Sequence, residues 1–438
     1  MTWPGASPKL AATVSTIQTV CIFIGGYLVS RLLLRADGHE LFVAWLTRRS
    51  AGHVSRIVLG VMLGSFLLST IVPNALTVLA LIPVVGSIRR VAGGKAPPRF
   101  GSLLAMAVVY GGNIGGLASV VGSPANLYLL ASLRIYRVAG RQALHFVSWL
   151  AFGMPLALTF LGVCWGMLHL TERRTMSASL GRGPDGPDDS PIARQAGPLF
   201  ALARRWAAVW AAFWVGLLLL TLVAGVGTAP LWELSPGGGP LVLSSADVAG
   251  LGFTLLVVTG LFLVPQRAGQ VRQRPLVLRD LVRDVPLKGV LFAVGVLALL
   301  VVLARSGLMG HLERLVALVV PGGAGPLPTI LLLVLVTIFS TEVLSNTAVA
   351  TVLFPLSKAI AARVGLDALL LMLAVSLAST CAFMTPVATP VNALAFAGIG
   401  GVSLAVFVKN GVLANLVGAL WITIWIRWFV PPVLSWFA

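Results

Sequence analysis

The sequence predicts an all-α polytopic membrane protein: two inverted-topology repeats, about eight transmembrane spans and two re-entrant helical hairpins. Three observations lead there. The 438 residues are 58% hydrophobic and only 10% charged, with mean hydropathy +0.98, a composition of spanning chains. Polar segments interrupt the apolar sequence in two matching pairs. Ser69-Thr70-Ile71-Val72-Pro73-Asn74-Ala75 answers Thr341-Glu342-Val343-Leu344-Ser345-Asn346-Thr347, and Gly122-Ser123-Pro124-Ala125-Asn126 answers Ala388-Thr389-Pro390-Val391-Asn392. The match then extends in order along the chain, each block at its own constant spacing. Phe23, Gly26 and Gly38 reappear as Phe292, Gly295 and Gly307, and Asn74 and Pro83 as Asn346 and Pro355. Ser119, Pro124 and Asn126 reappear as Thr385, Pro390 and Asn392.

Taken in order, apolar runs of spanning length lie at 14–34, 148–170, 208–226, 247–265, 287–305 and 410–430. The runs at 57–88 and 327–360 carry Pro73-Asn74 and Ser345-Asn346-Thr347 near their centres. Each half is too short to span, so each run is expected to enter and leave the bilayer on one side. The runs at 100–140 and 366–401 are interrupted by the Pro/Asn segments and are expected to be broken helices. Glu40 to Leu46 and Met309 to Val320 are mildly amphipathic and fit interfacial helices. The first repeat is placed at 1–170, a cytoplasmic linker at 171–207 (rich in Gly, Pro and Asp from Gly181 to Pro198) and the second repeat at 208–438.

Charge sets the orientation. Segments 35–56, 86–99, 171–207 and 266–288 hold 20 of the 31 Lys and Arg, and all four face the cytoplasm only if 57–88 is re-entrant. Arg134, Arg137 and Arg141 then fall outside or at the interface. Helix 14–34 runs inward while 287–305 runs outward, which makes the repeat inverted. The net charge of +18 lies in short loops between apolar runs. It therefore meets anionic lipid, and no nucleic-acid partner is expected. Cys21, Cys164 and Cys381 are far apart in apolar stretches and support neither a disulfide nor a metal site. No cleavable signal peptide is expected at the first apolar run.

Polar, irregular backbone at membrane depth is tolerated where it lines a cavity, and corresponding breaks in two halves point to a carrier's binding site. Helix N-termini there present N–H groups suited to an anion, while unwound carbonyls with Asn, Ser and Thr oxygens suit a desolvated cation. No Lys or Arg lies in these segments, so a bound anion would be neutralised by accompanying cations. No acid pair, His cluster or Ser/His arrangement lies at that depth, so enzymatic chemistry and an organic cofactor are not expected.

The segment Thr341 to Thr347 and Met384-Thr385-Pro386-Val387-Ala388-Thr389-Pro390-Val391-Asn392-Ala393 resemble the second-repeat signatures of the divalent anion–sodium symporter (DASS) family. Asn113-Ile114-Gly115-Gly116 followed by Gly122 to Asn126 resembles its first-repeat loop. The likeness begins after the family's first three helices and covers nearly the whole chain. It implies an elevator-type secondary transporter in the bacterial inner membrane that couples Na⁺ to a small divalent anion, a dicarboxylate or sulfate. The family's scaffold is a homodimer, but its geometry does not carry over without those three helices. By position, one Na⁺ would be held by Ser69, the Pro73 backbone, Asn74 and Gly122. A second would be held by Thr341, the Leu344 backbone, Asn346 and Ala388. The anion would meet Asn74, Ser123 and Pro124 on one side, and Ser345, Asn346, Thr347, Thr389 and Pro390 on the other. The first tip departs from the family in reading Pro73-Asn74-Ala75 where Ser-Asn-Thr is usual, so two hydroxyls are missing.

Glu342 is the one carboxylate placed within the membrane. It is open to two roles, a bond to hairpin backbone or a proton carrier, and the resemblance favours the first. The alternative to Na⁺ symport is a proton-coupled, anion-exchanging or efflux carrier of the same superfamily. The histidines fall near interfaces without metal-ligand spacing, and Trp421, Trp425, Trp428 and Trp436 read as an aromatic anchor.

Overall fold

The computed structural model describes residues 21, 24–29, 31–33, 35–36, 45–46, 49–70, 74–180, 198–224, 230–234, 241–268, 271–277, 325–386 and 388–437. In chain order its elements are α1 (Val54–Ser69), α2 (Asn74–Ala92), α3 (Phe100–Ala118), α4 (Pro124–Ile135), α5 (Phe146–Thr171), α6 (Pro198–Ala224), β1 (Pro230–Leu234), β2 (Leu241–Ser244), α7 (Ser245–Phe262), β3 (Gln266–Ala268), β4 (Val271–Gln273), α8 (Pro326–Thr341), α9 (Asn346–Val364), α10 (Ala368–Ser379), α11 (Pro390–Gly398), α12 (Leu404–Ile424) and α13 (Val430–Ser435). The expected helix 287–305, the interfacial stretch 309–320, most of 40–46 and Pro73 lie outside the described residues.

The breaks fall where the polar segments are. Helices α1 and α2 flank 70–73, α8 and α9 flank 342–345, α3 and α4 flank 119–123, and α10 and α11 flank 380–389. The local causes are capping and proline. Ser345 accepts a bond from the Ala348 N–H, Asp367 from Leu369 and Thr389 from Asn392, so each starts a helix. Pro124 and Pro390 sit in the first turn of α4 and α11, where no N–H partner is missed. Gly365 closes α9 at φ 70°, a left-handed position suited to glycine. Four helices among the described residues are long and apolar enough to cross a membrane: Phe100–Ala118, Phe146–Thr171, Asn346–Val364 and Leu404–Ser435.

Two features differ from expectation. The fold is not wholly helical, because β1 pairs with β2 and β3 with β4 as short antiparallel hairpins. These connections lie between helices, and their backbone groups satisfy one another by pairing. Within the stretch read as a linker, 171–207, the described residues carry regular structure. A helical turn spans Arg173–Met176, Ser179 pairs with His53, and α6 begins at Pro198.

The chain forms two compact units, one of residues 1–49, 145–147 and 182–285, the other of 50–144, 148–181 and 286–438. In the first, Leu28, Leu32, Ala203, Val257, Leu261 and Leu276 make the core. Trp206, Trp210 and Trp214 recur every four residues on one face of α6 and lie over Gly260, Gly25 and Gly250. The second unit holds both hairpins and both broken helices. Its α3 is buried along its whole length.

Candidate functional site

Two hairpin tips and two broken-helix loops meet inside the second unit, and the repeat relation governs how they are held. Asn126 Nδ2 donates to the carbonyls of Gly116 and Ser119, both at 2.9 Å. At the equivalent place in the second repeat, Asn392 Nδ2 donates to Ala382 and Thr385 at 2.9 and 2.8 Å. Ser119 Oγ donates to the Thr70 carbonyl, and its counterpart Thr385 Oγ1 donates to the Glu342 carbonyl at 2.9 Å. The helix after each broken helix, α5 and α12, also reaches back to it, α5 to the last turn of α3 and α12 to the second loop. Trp149 Nε1 donates to Leu117 O at 3.0 Å, and Asn415 Oδ1 accepts from Phe383 N at 3.3 Å. Freed carbonyls and N–H groups in both loops are thus satisfied by side chains, as buried irregular backbone requires.

The halves are also clasped to each other. Asn113 Nδ2 on α3 donates to Ala382 O at 2.9 Å and to Asn392 Oδ1 at 3.4 Å. In return, Ser376 Oγ on α10 donates to Asn126 Oδ1 at 3.0 Å. Asn113, Asn126 and Asn392 are buried. The sequence identifies Asn126 and Asn392 as motif residues but not as the groups that close the loops. Their equivalent places in the two repeats are the signal that could have found them. Asn113 and Asn415 as cross-links carry no such signal.

At the first tip, Ser69, Thr70 and Asn74 are buried. Ser69 Oγ lies 2.7 Å from Gly112 O and 2.5 Å from Asn74 Oδ1, and Asn74 Nδ2 points to Asn113 Oδ1 at 3.4 Å. Gly122 packs on the Ser69 carbonyl and Gly116, with room for no side chain: an added Cβ would stand 2.9 Å from Gly116 Cα. The structure therefore brings together Ser69, Asn74 and Gly122. Ser123 is buried at the start of α4 without capping it through its side chain, directly before Pro124.

The second tip is different. Val343 and Leu344 are 81% and 57% exposed and Ser345 is exposed as well, while Thr341 and Thr347 are buried. Thr341 Oγ1 bonds its own helix at Ile338 O. Asn346 Oδ1 is buried with no hydrogen-bond partner among the described residues. Ala388 and Thr389 are buried in the facing loop, and Thr389 Oγ1 lies 3.0 Å from Asn392 Oδ1, at the residue before Pro390. The tip thus offers one unused amide oxygen and an exposed turn, next to the N-terminus of α9.

Glu342 is buried, and its carboxylate accepts three donors: Met384 N and Thr385 N at 2.8 Å each and Asn415 Nδ2 at 2.7 Å. Every donor points at an acceptor-only group, so this side chain welds tip, loop and α12. Glu342 is not the only buried carboxylate. Glu172, at the end of α5, meets Arg99 at 3.0 Å and Asn410 at 3.3 Å, and Asp247 is buried in the first unit. No group of three or more His, Cys, Asp or Glu that could hold a metal ion occurs among the described residues.

Comparison with known proteins agrees with this arrangement. A family model described as citrate transporter (CitMHS) matches residues 2–375. A sodium-dependent dicarboxylate transporter, SdcS, of Staphylococcus saprophyticus is 27% identical over 424 residues, 95% of this chain and 77% of its own. The protein of the same name from Staphylococcus aureus is 26% identical over 438 residues, 98% and 79% of the two chains. Among solved structures, the YdaH transporter of Alcanivorax borkumensis superposes with TM-score 0.59 over 96% of this chain and 88% of its own, at 16% identity, a likeness of fold. The resemblance read from the second-repeat motifs is borne out, and the chain is a multi-pass membrane transporter, not an enzyme. The extent of the family match, which spans both hairpin tips and the first broken-helix loop, places the chain in the citrate transporter family.

Proposed function

We propose that the chain moves a small dicarboxylate across the bacterial cell membrane with Na⁺ as the coupling ion. The observation that carries this reading is the second tip, where a buried Asn346 oxygen has no hydrogen-bond donor among the described residues, beside an exposed turn. A buried amide oxygen without a donor is costly in a folded protein, and a cation supplies what it lacks. The remaining oxygens for that cation are Thr341, the Leu344 carbonyl and Ala388. The names of the two SdcS relatives support both halves of the reading.

The anion would sit between the tips. The N-termini of α4, α9 and α11 begin at Pro124, Asn346 and Pro390, and their free N–H groups suit carboxylate oxygens without a basic side chain. Ser123 and Ser345 supply hydroxyls, with Asn74, Asn346, Thr347 and Thr389 close in sequence to the same helix starts. The cation at the second tip would offset part of the dianion's charge, which is the physical basis of coupling. A span count of about eight and an elevator movement are the finer parts of this proposal. Their support is that one compact unit gathers both hairpins and both broken helices. Glu342, held by three donors, serves as a fastening in this reading and moves no proton.

The test is uptake of radiolabelled succinate and sulfate into proteoliposomes, with and without an inward Na⁺ gradient. Wild-type protein should take up succinate only with Na⁺, and Asn346→Ala should lose that dependence. Uptake that needs internal anion and ignores Na⁺ would instead mark an exchanger.

A further inference from the structure

We propose, building on the symport reading above, that this transporter couples a single cation, held at the second tip, because Ser69 and Asn74, the described side chains at the first tip, are tied to the protein's own polar groups. Asn74 and Asn346 stand at equivalent positions in the two repeats, yet their surroundings differ. Asn346 Oδ1 is buried without a partner among the described residues. Asn74 Nδ2 donates to Asn113 Oδ1 at 3.4 Å, and Asn74 Oδ1 lies 2.5 Å from Ser69 Oγ, whose single proton serves it or Gly112 O at 2.7 Å.

Asn113 makes the difference. It is 1% exposed and spends its own N–H groups on Ala382 O and Asn392 Oδ1. A polar chain therefore runs Ser69, Asn74, Asn113, Asn392 through both repeats. The second repeat has no equivalent of it. In the place that corresponds to Asn113 stands Ser379, whose hydroxyl turns back to Ser376 O in its own helix at 2.8 Å. Ser69 is further tied to Gly112 O on the neighbouring helix, whereas its counterpart Thr341 bonds Ile338 O within α8.

A cation entering the first tip would have to pull Asn74 and Ser69 out of these bonds. The Asn113 oxygen would be left buried without its donor, a cost the second tip does not carry. Gly116 also lies close against the Asn74 amide, 3.0 Å from a Cβ built on it, so the amide has little freedom to turn. The two hydroxyls missing from Pro73-Asn74-Ala75 point the same way. Ser69, Asn74 and Gly122 therefore do not fit the cation that the family resemblance places there. They form a fixed seam that shapes one wall of the anion site.

The experiment has two readouts on the full-length protein in lipid. Reversal potentials of succinate flux, under imposed Na⁺ and succinate gradients, count the Na⁺ moved per succinate. Thermal unfolding against Na⁺ concentration reports binding without transport. The expected result is one Na⁺ per succinate and a hyperbolic stabilisation curve with a Hill coefficient of about 1. With no succinate present, Asn346→Ala should weaken the Na⁺ stabilisation by more than about ten-fold, and Asn74→Ala should shift it by less than about two-fold. If Asn74→Ala does not fold, Ser69→Ala, which removes a single oxygen from the same tip, gives the same reading. Two Na⁺ per succinate, or a sigmoidal curve made hyperbolic by Asn74→Ala, overturns the single-cation inference while leaving symport intact. Succinate flux that ignores Na⁺, with no Na⁺ stabilisation, overturns the symport reading and the count together.

Discussion

Asn126 and Asn392 hold the two broken-helix loops with the same pair of bonds, to the carbonyls ten and seven residues earlier. Asn126→Ala leaves the buried Gly116 carbonyl without a donor, at about 1–3 kcal/mol, whereas after Asn392→Ala the Ala382 carbonyl keeps Asn113 Nδ2 at 2.9 Å and the Thr385 carbonyl keeps Ala388 N at 3.4 Å. Asn126→Ala should therefore lower the unfolding temperature more than Asn392→Ala does in a thermal scan of purified protein. Glu342 gives a sharper contrast. Glu342→Gln presents an NH₂ where three donors already converge, so it should cost about 1–3 kcal/mol of stability and leave the pH profile of uptake unchanged. A proton carrier would behave the opposite way, with stability kept and the pH dependence of uptake abolished.

The elements show why one repeat is closed and the other open. An added Cβ on Gly111 would collide with Met62 O, and one on Gly115 would stand 2.5 Å from Phe66 O. Two glycines one helical turn apart thus let α3 lie against the backbone of α1. Ser65 and Ser69, also one turn apart, then reach across to the carbonyls of Val108 and Gly112 at 2.7 Å. In the second repeat the glycines are replaced by Leu377 and Cys381. There Thr337 and Thr341 bond Leu333 and Ile338 of their own helix. Gly111→Ala or Gly115→Ala should push α1 from α3 and break the serine seam. The expected loss is about 1–3 kcal/mol, as for other overpacked contacts, read by chemical or thermal unfolding in detergent. The final helix shows another local cause. Pro431 and Pro432 remove N–H donors after Trp425–Phe429, and those five residues widen into a π-helical turn before α13.

At the scale of the whole molecule, the 26-residue α5 separates two ends of the second unit by roughly 39 Å. Arg99 and Glu172 pair at one end. At the other, Lys358 Nζ donates to Tyr136 O at 2.8 Å, near exposed Arg137 and Arg363. The orientation read from loop charge puts the first end in the cytoplasm. Cysteines introduced at Arg137 and Arg363 should react with an impermeant maleimide from outside intact cells, and one at Arg173 only after permeabilisation. Cys21, Cys164 and Cys381 are buried, so native background should be low. Labelling at Arg173 from outside would invert the orientation.

Sequence alone determined the hairpins, the broken helices and the pairing of polar segments, because Pro, Asn and Ser in an apolar run leave backbone groups that must be satisfied nearby. It also determined which side chains stand in equivalent places, since the register of the two repeats is written in the residues. The family resemblance placed Ser69, Asn74 and Asn346 as ligands by position, with the first tip marked only by its two missing hydroxyls, because local sequence carries no record of what faces a side chain from afar. Tertiary structure decided that Asn113, 39 residues from Asn74 and 279 from Asn392, meets the Asn74 amide, while the Asn346 oxygen has no hydrogen-bond partner among the described residues. It likewise decided the part played by Glu342, whose three donors come from 42, 43 and 73 residues away. Hydrogen bonds of that range depend on how helices pack, and packing is a property of the folded chain as a whole.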